Sequence, residues 1–356
     1  MQIKSIEIDP LDLELQTALT VAYGSYPVLN YALIKVHSDE GIIGLGEASP
    51  DTEVTGETQA SVIEALRAAA AFLPGMDPFN IEEIINLCLE KIPASPSAVA
   101  AIDMALYDLM GKHLDLPVYQ LLGGKAREGI GLYPVIPLDE PQEMAANSLK
   151  FAQMGLTTMK VKLGTDPTED LRRLEAIRDA AGGGIKLRLD INQGWKDAPT
   201  TLEAIGSLKG FNIEYIEQPV KDTDLEGLAR VSAGTEIPIM ADESCHNAAD
   251  VFKIACMKAA DLINIKLMKC GGIYQACKAL AVAEAAGLPC ILGSMGESSI
   301  GSMAGVHLVT AKAALTACEA IGPLFINNDP AEGFLVDMTK FQALPSDAAG
   351  LGVRLK

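Results

Sequence analysis

From about residue 130 the chain repeats one pattern eight times: a short β-like run followed by a helical stretch. The runs fall at 131–136, 158–163, 186–190, 213–217, 239–242, 262–266, 290–294 and 316–321. Their starts lie roughly 25 residues apart, the length of a βα unit in an eight-stranded parallel barrel. Helical patterns at 141–154, 168–180, 272–286 and 300–314 fill intervals between them. A doubly wound open sheet is the competing arrangement, and the count of eight favours the barrel.

The first part of the chain has a different rhythm. Strand patterns at 3–9, 31–37 and 44–47 precede helical patterns at 58–72, 81–91 and 97–113. Asp39-Glu40-Gly41 supplies a turn, and Pro74-Gly75 and Ile92-Pro93-Ala94-Ser95-Pro96 break the helices. We therefore expect an α+β domain over 1–125, a barrel over 126–324, and a tail over 325–356 that returns to the first domain. The N-terminus alternates apolar and polar residues and reads as a strand, not a signal peptide.

Three strand ends carry the chemistry. Asp190, Glu217 and Asp242 each close a predicted strand, and in a parallel barrel those ends share one mouth. A lone acid there often caps the following helix. Three in successive units, with no His or Cys beside them, suit a hard octahedral cation: Mg²⁺ first, Mn²⁺ as a substitute, one ion. Lys160 and Lys162 stand two residues apart on one strand and share its face, and Lys266 ends a strand four units on. Inward lysines need anions, so a buried salt-bridge network is the alternative use of this set. Crowded by each other and by a cation, the lysines would have lowered pKa values and work as neutral bases. A metal on a substrate carboxylate stabilises the charge that develops when the adjacent proton leaves. Two bases on opposite faces then permit inversion at carbon, whereas one base permits elimination or cycloisomerisation.

Composition narrows the partners. A net charge of −19 argues against nucleic acid, leaving a small carboxylate substrate bound through a metal and lysines. No apolar run is long enough to span a bilayer. Seven scattered cysteines form no Cys-x-x-Cys pair and suit a reducing cytoplasm. The sequence is compatible with a homo-oligomer and does not specify one.

The motifs Lys160-Val161-Lys162, Asp190-Ile191-Asn192, Glu217-Gln218-Pro219, Ala241-Asp242-Glu243-Ser244 and Asn264-Ile265-Lys266-Leu267-Met268-Lys269-Cys270-Gly271-Gly272 resemble the enolase superfamily in its muconate-lactonizing branch. The resemblance runs in order along the whole chain. It implies a modified (β/α)7β TIM barrel with an α+β capping domain, Mg²⁺ on Asp190, Glu217 and Asp242, and Lys162 and Lys266 as bases. It also implies Lys160 on the substrate carboxylate, with Asn192 and Glu243 supporting the metal ligands. Residues 49–58, 264–272 and 293–298 are most similar to dipeptide epimerases of the L-Ala-D/L-Glu type.

One departure stands out. Those epimerases end the last barrel strand in Asp-x-Asp, which holds the dipeptide ammonium; here the segment reads Glu319-Ala320-Ile321. Losing one such charge-assisted hydrogen bond removes about 1.5–3 kcal/mol. The expected substrate contacts are Lys160, Tyr23, Tyr26, Thr55, Ser294, Met295, Glu297, Glu319 and Ile321. Residues 18–29 read as a mobile lid and 51–56 as a second flap. Dipeptide epimerisation leads the expectations. N-acyl amino acid racemisation, an o-succinylbenzoate synthase-like reaction and muconate cycloisomerisation share the site, and a non-catalytic carboxylate-binding protein is the remote alternative. Trp195 and His307 read as packing residues.

Overall fold

The first two strands form one long hairpin. β1 (Ile3–Val21) and β2 (Gly24–Ser38) pair antiparallel, and β3 (Ile43–Ala48) adds to the free edge of β2. The computed structural model describes all of residues 1–356. Helices α1 (Gln59–Phe72), α2 (Ile81–Lys91), α3 (Pro96–Leu114) and the short α4 (Val118–Leu121) follow. Ala32, Ile34 and Val36 recur with period two on β2 and pack on Val62, Leu66, Ile84, Ile85 and Ile102. A Cβ on Gly46 would stand 2.0 Å from the Ala101 carbonyl oxygen of α3, so only glycine allows this approach. Gly46→Ala should cost about 1–3 kcal/mol by forcing helix and sheet apart. An unchanged urea midpoint would contradict that packing.

The segment 18–29, expected as a mobile lid, is the end of the hairpin: Leu19 pairs with Tyr26, Thr20 with Ser25 and Val21 with Gly24, beyond a register shift between Glu14 and Leu19. β-Forming residues on both arms extend the hairpin to a turn at Ala22 and Tyr23. Its tip reaches the barrel, where Leu138 N–H donates to the Thr20 carbonyl (2.9 Å).

The repeating part then runs β4 (Ile130–Gly131), β5 (Val135–Ile136), α5 (Pro141–Gln153), β6 (Thr158–Lys162), α6 (Pro167–Ala181), β7 (Lys186–Asp190), α7 (Ala198–Gly206), β8 (Ile213–Glu217), α8 (Leu225–Gly234), β9 (Ile239–Ala241), α9 (Ala248–Met257), β10 (Leu262–Ile265), α10 (Leu267–Cys270), α11 (Ile273–Ala286), β11 (Cys290–Leu292), α12 (Ser299–Ala311) and β12 (Leu315–Cys318). Strands β5 to β12 form one eight-stranded parallel sheet in sequence order. No ladder joins β5 to β12. Instead the Tyr133 hydroxyl, just before β5, donates to Glu319 just after β12 (2.8 Å), so the curled sheet meets itself through side chains. The expected single strand over 131–136 is split, because Pro134 cannot donate to a ladder. Helix starts are capped by Asp166, Asp197, Asp224 and Asn247, each accepting backbone N–H bonds.

The tail forms β13 (Ala331–Glu332), β14 (Leu335–Asp337), β15 (Gln342–Leu344) and β16 (Arg354–Leu355). β15 pairs with β4, while Asn327 N–H donates to the Glu14 carbonyl on β1 (2.8 Å). The tail thus bonds to both the hairpin and the barrel.

Buried His307 on α12 ties three segments together. Its Nδ1 accepts from Tyr119 N–H (3.3 Å) and its Nε2–H donates to the Leu351 carbonyl (3.1 Å). Those partners require the neutral ring. Burial lowers the pKa of His307 from 6.5 to about 4. The unfolded chain therefore binds the extra proton first. The stabilisation is present above pH 6.5 and lost as pH falls towards 4, amounting to about 3 kcal/mol. Urea unfolding at pH 7 and pH 4.5 should show His307→Gln with a weaker pH dependence than the parent chain. Parallel loss in both would contradict this.

Candidate active site

Side-chain alternation divides each barrel strand. Met159, Val161, Leu187, Leu189, Ile216, Ile239, Ile263 and Ile265 point to the apolar layer shared with the helices. The alternate positions face the barrel interior. At its floor, the Arg188 guanidinium lies 4.0 Å from the ring centre of Tyr133 and 5.4 Å from that of Tyr215. Above this layer the same strands deliver Lys160, Lys162, Asp190 and Glu217. Asp190 and Glu217 are direct cross-strand partners, and Asp242 and Lys266 follow immediately after β9 and β10.

These charges form one buried network. The Lys160 ammonium lies 3.0 Å from Asp190, 2.9 Å from Glu217 and 2.8 Å from Glu319. Lys162 meets Asp190 at 2.7 Å, and Asp242 is held by Lys266 at 2.7 Å and Lys269 at 2.6 Å. Burial alone would lower the pKa of Lys160 and of Lys266, but the facing carboxylates outweigh it and raise both. Lowered values are expected for lysines beside a cation; with ammonium directly on carboxylate, as here for Lys160 and Lys266, the charged form wins. Burial likewise pushes Asp190 up, yet Lys160 and Lys162 overcome it and hold Asp190 down at about 2. Glu217 is raised well above the usual range by burial and by the Asp190 charge. Burial and the charge of Asp242 bring Glu243 to about 7.

Five carboxylates (Asp190, Glu217, Asp242, Glu243 and Glu319) thus face four ammoniums (Lys160, Lys162, Lys266 and Lys269). Glu217 Oε2 lies near Lys160 but accepts no well-aligned hydrogen bond, and Glu243 Oε2 accepts none. The carboxylates turn to the lysines, and no three Asp, Glu, His or Cys side chains are drawn together as a ready metal site. The unused oxygens of Glu217 and Glu243, and the hard oxygen donors of Asp190, Glu217 and Asp242, nevertheless fit a divalent cation.

Supporting residues fix these groups. Asn192 donates to Glu243 (3.1 Å) and accepts from Lys162 (3.2 Å). Three residues carried no role in the sequence reading. Lys269 bonds the Asp242 carboxylate and carbonyl, and Gln218 accepts from Asp242 N–H (2.9 Å). Asn264 donates to Glu217 (2.9 Å). Lys269 lies three residues beyond Lys266, one helical turn on, which is the signal that could have revealed it. Gln218 adopts φ +38°, outside the preferred backbone regions, immediately after Glu217.

A cavity of about 700 Å³ opens over the network. The expected bases Lys162 and Lys266 line it, and so do Lys160, Tyr23, Tyr26, Ser294, Met295, Glu319 and Ile321 from the residues expected near a substrate. Thr55 and Glu297 do not. Thr55 Oγ1 is used within its own turn, donating to the Asp51 carbonyl (3.0 Å) and accepting from Asp51 N–H (3.1 Å). Buried Glu297 instead takes the Ser294 hydroxyl bond behind the cavity wall. Trp195 is a packing residue, its indole N–H donating to Asp170 (2.9 Å).

Residues 143–356 match the family described as enolase C-terminal domain-like, and residues 8–123 match the mandelate racemase/muconate lactonizing enzyme N-terminal domain. The chain belongs to the mandelate racemase/muconate lactonizing enzyme family. Among relatives in this family, it is 41% identical over 330 residues to an N-succinyl-L-Arg/Lys racemase of Bacillus cereus, covering 92% of this chain and 89% of that one. It is 40% identical to a hydrophobic dipeptide epimerase of Enterococcus faecalis over 99% of both chains. The crystal structure of a dipeptide epimerase from Enterococcus faecalis V583, complexed with Mg and L-Leu-L-Tyr, superposes with a TM-score of 0.94 at 39% identity, covering 99% of each chain.

Proposed function

We propose that this protein is an isomerase that removes the proton next to the carboxylate of an amino-acid derivative and returns it on the opposite face, with dipeptide epimerisation as the leading reaction. The observation that carries this reading is the pairing of Lys162 and Lys266 across one cavity, from strands four apart, flanking buried Asp190, Glu217 and Asp242. Relatives of both the epimerase and the racemase kind support the class.

Asp190, Glu217 and Asp242 would hold one Mg²⁺, with Mn²⁺ as a substitute. The bound cation would neutralise charge accumulating on the substrate carboxylate as the α-proton leaves. Engaging those carboxylates would also release Lys162 and Lys266 from the Asp190 and Asp242 oxygens they now pair with. Lys162 and Lys266 then exchange the proton with opposite faces of the α-carbon. Lys160, held by Glu319, presents its charge to the substrate carboxylate. The domain limits 1–125 and 126–324, with the tail 325–356 joining the first part, form part of this reading: the capping part closes the barrel mouth.

A second reading, racemisation of an N-acyl amino acid, is favoured by one observation. Glu319 has one oxygen, Oε1, engaged by Lys160 and Tyr133, and Ile321 has no charge, so the two positions offer an α-ammonium one carboxylate oxygen and not a pair of carboxylates. Mass-spectrometric and polarimetric screening of dipeptides and N-acyl amino acids with Mg²⁺ tests both. Loss of optical rotation in either class supports the proton-transfer reading. Absorbance change with a muconate, with no isomerisation of amino-acid derivatives, would replace it by cycloisomerisation.

A further inference from the structure

The capping sheet grips one side of the barrel mouth. Glu47 on β3 is fully buried, and both of its carboxylate oxygens are used at the start of α12. Oε1 accepts from Ser298 N–H (2.9 Å) and from the Ser49 hydroxyl (3.1 Å). Oε2 accepts from Gly301 N–H (3.1 Å) and from the Ser298 hydroxyl. A carboxylate in this place satisfies first-turn N–H groups that a helix leaves open, and it meets the positive end of the helix dipole. Buried Tyr31 on β2 donates its hydroxyl to the Met295 carbonyl. The capping sheet thus holds the segment 295–301 at both ends. Between them Gly296 adopts φ +86°, and a Cβ there would stand 3.1 Å from the Leu29 side chain of β2.

That segment leads to one of the two bases. Ser294, Met295 and Gly296 border the cavity. Gly293 N–H donates to the carbonyl of Ile265 (2.8 Å), the residue before Lys266, and Leu292 pairs with Ile265 in the ladder of β10 and β11. The stretch after Lys162 is fixed inside the barrel instead. Leu163 N–H donates to the Asp190 carbonyl (2.9 Å), and Gly164 N–H donates to the Asp170 carboxylate (2.9 Å). The hold of Glu47 and Tyr31 therefore falls on the Lys266 side.

We infer that Glu47 and Tyr31 are positioning residues that set the Lys266 face of the cavity from the capping sheet and leave the Lys162 face to the barrel. The inference rests on the two-base reading proposed above. In that reading the Lys162 amine takes the α-proton of one isomer, and inversion is completed when the Lys266 ammonium delivers a proton to the other face. With Lys266 displaced, Lys162, now an ammonium exchanged with solvent, returns a deuteron to its own face. For the isomer that faces Lys266 the bias is opposite: abstraction slows, but Lys162 then protonates nearly every carbanion and inverts it.

The test uses the full chain with Mg²⁺ in D₂O. The probes are L-Ala-L-Leu, N-acetyl-L-methionine and their opposite isomers at the reacting carbon. Tyr31→Phe removes one hydroxyl and keeps the ring; Glu47→Gln keeps the shape but sets an NH₂ against N–H donors. Lys266→Ala identifies the isomer facing Lys162, since it exchanges that one without inversion. For that isomer, the ratio of deuterium in recovered starting material to deuterium in inverted product should rise about tenfold in either variant, within the roughly 10²-fold that a misplacement of about 1 Å can cost. For the other isomer the ratio should fall. Amide exchange should quicken over residues 293–301 and not over 158–163. A general loss of structure slows both isomers and leaves the ratios unmoved. That result in both variants, or unchanged amide exchange over 293–301, would overturn the inference. If the parent chain exchanges no α-proton, the two-base reading fails, and amide exchange alone decides whether the capping sheet holds 293–301.

Discussion

Lys162→Ala and Lys266→Ala are each expected to lower isomer interconversion by about 10²–10⁴-fold, the contribution of a positioned acid or base. The two lysines come from β6 and from the end of β10, and both border the cavity. In the proposed reaction each lysine serves one face of the α-carbon, so inversion needs both. The variants should still differ from a dead protein in one respect. The remaining lysine can remove the α-proton facing it and return a solvent proton to the same side. Lys266→Ala should therefore exchange the α-proton of one isomer without inverting it, and Lys162→Ala that of the other. Chiral chromatography with mass spectrometry separates the two readouts. Either variant interconverting isomers at the parental rate would rule out two-base inversion.

Removal of divalent cations should be as severe. Chelation is expected to cut turnover by at least about 10³-fold, because charge on the substrate carboxylate then lacks its stabilising partner. The same cation should raise the melting temperature, since at about 100 times Kd a native-state ligand adds about 2.7 kcal/mol. Asp242→Ala tests the protein's side of this balance. Lys266 and Lys269 both pair with that carboxylate, so its loss leaves two buried ammoniums uncompensated. Breaking a buried pair in this way costs about 3–5 kcal/mol. The variant should melt lower and lose most of its Mg²⁺-dependent rise. A full Mg²⁺ response in Asp242→Ala would remove Asp242 from the metal site.

Much of this was legible because strand alternation is a local property. Period two put Lys160 and Lys162 on one face, and the βα spacing put Asp190, Glu217 and Asp242 at one barrel end. The remaining features depend on long-range partners. Glu319 lines the cavity, and it also meets Lys160 and Tyr133, far away in sequence, because β12 returns beside β5. Residues 18–29 read as a lid, and the pairing of β1 with β2 makes that segment the end of a hairpin. Thr55 looked available, but the turn at Asp51 uses its hydroxyl. The sign of the lysine pKa shifts depended on how many carboxylates face each ammonium, which spacing alone does not specify. Lys269 and Gln218 stood inside the quoted motifs, but their grip on Asp242 appears only once the strand ends are assembled.

The account's central claim is proton exchange at the carbon next to the carboxylate. The most direct test incubates the Mg²⁺-loaded parent chain with a turned-over dipeptide or N-acyl amino acid in D₂O and follows both isomers by mass spectrometry and NMR. Deuterium should appear at the α-carbon of the product isomer from the first turnovers, with one mass unit gained per inversion. Interconversion with the α-hydrogen fully retained, or a new product with no isomerisation, would contradict the claim.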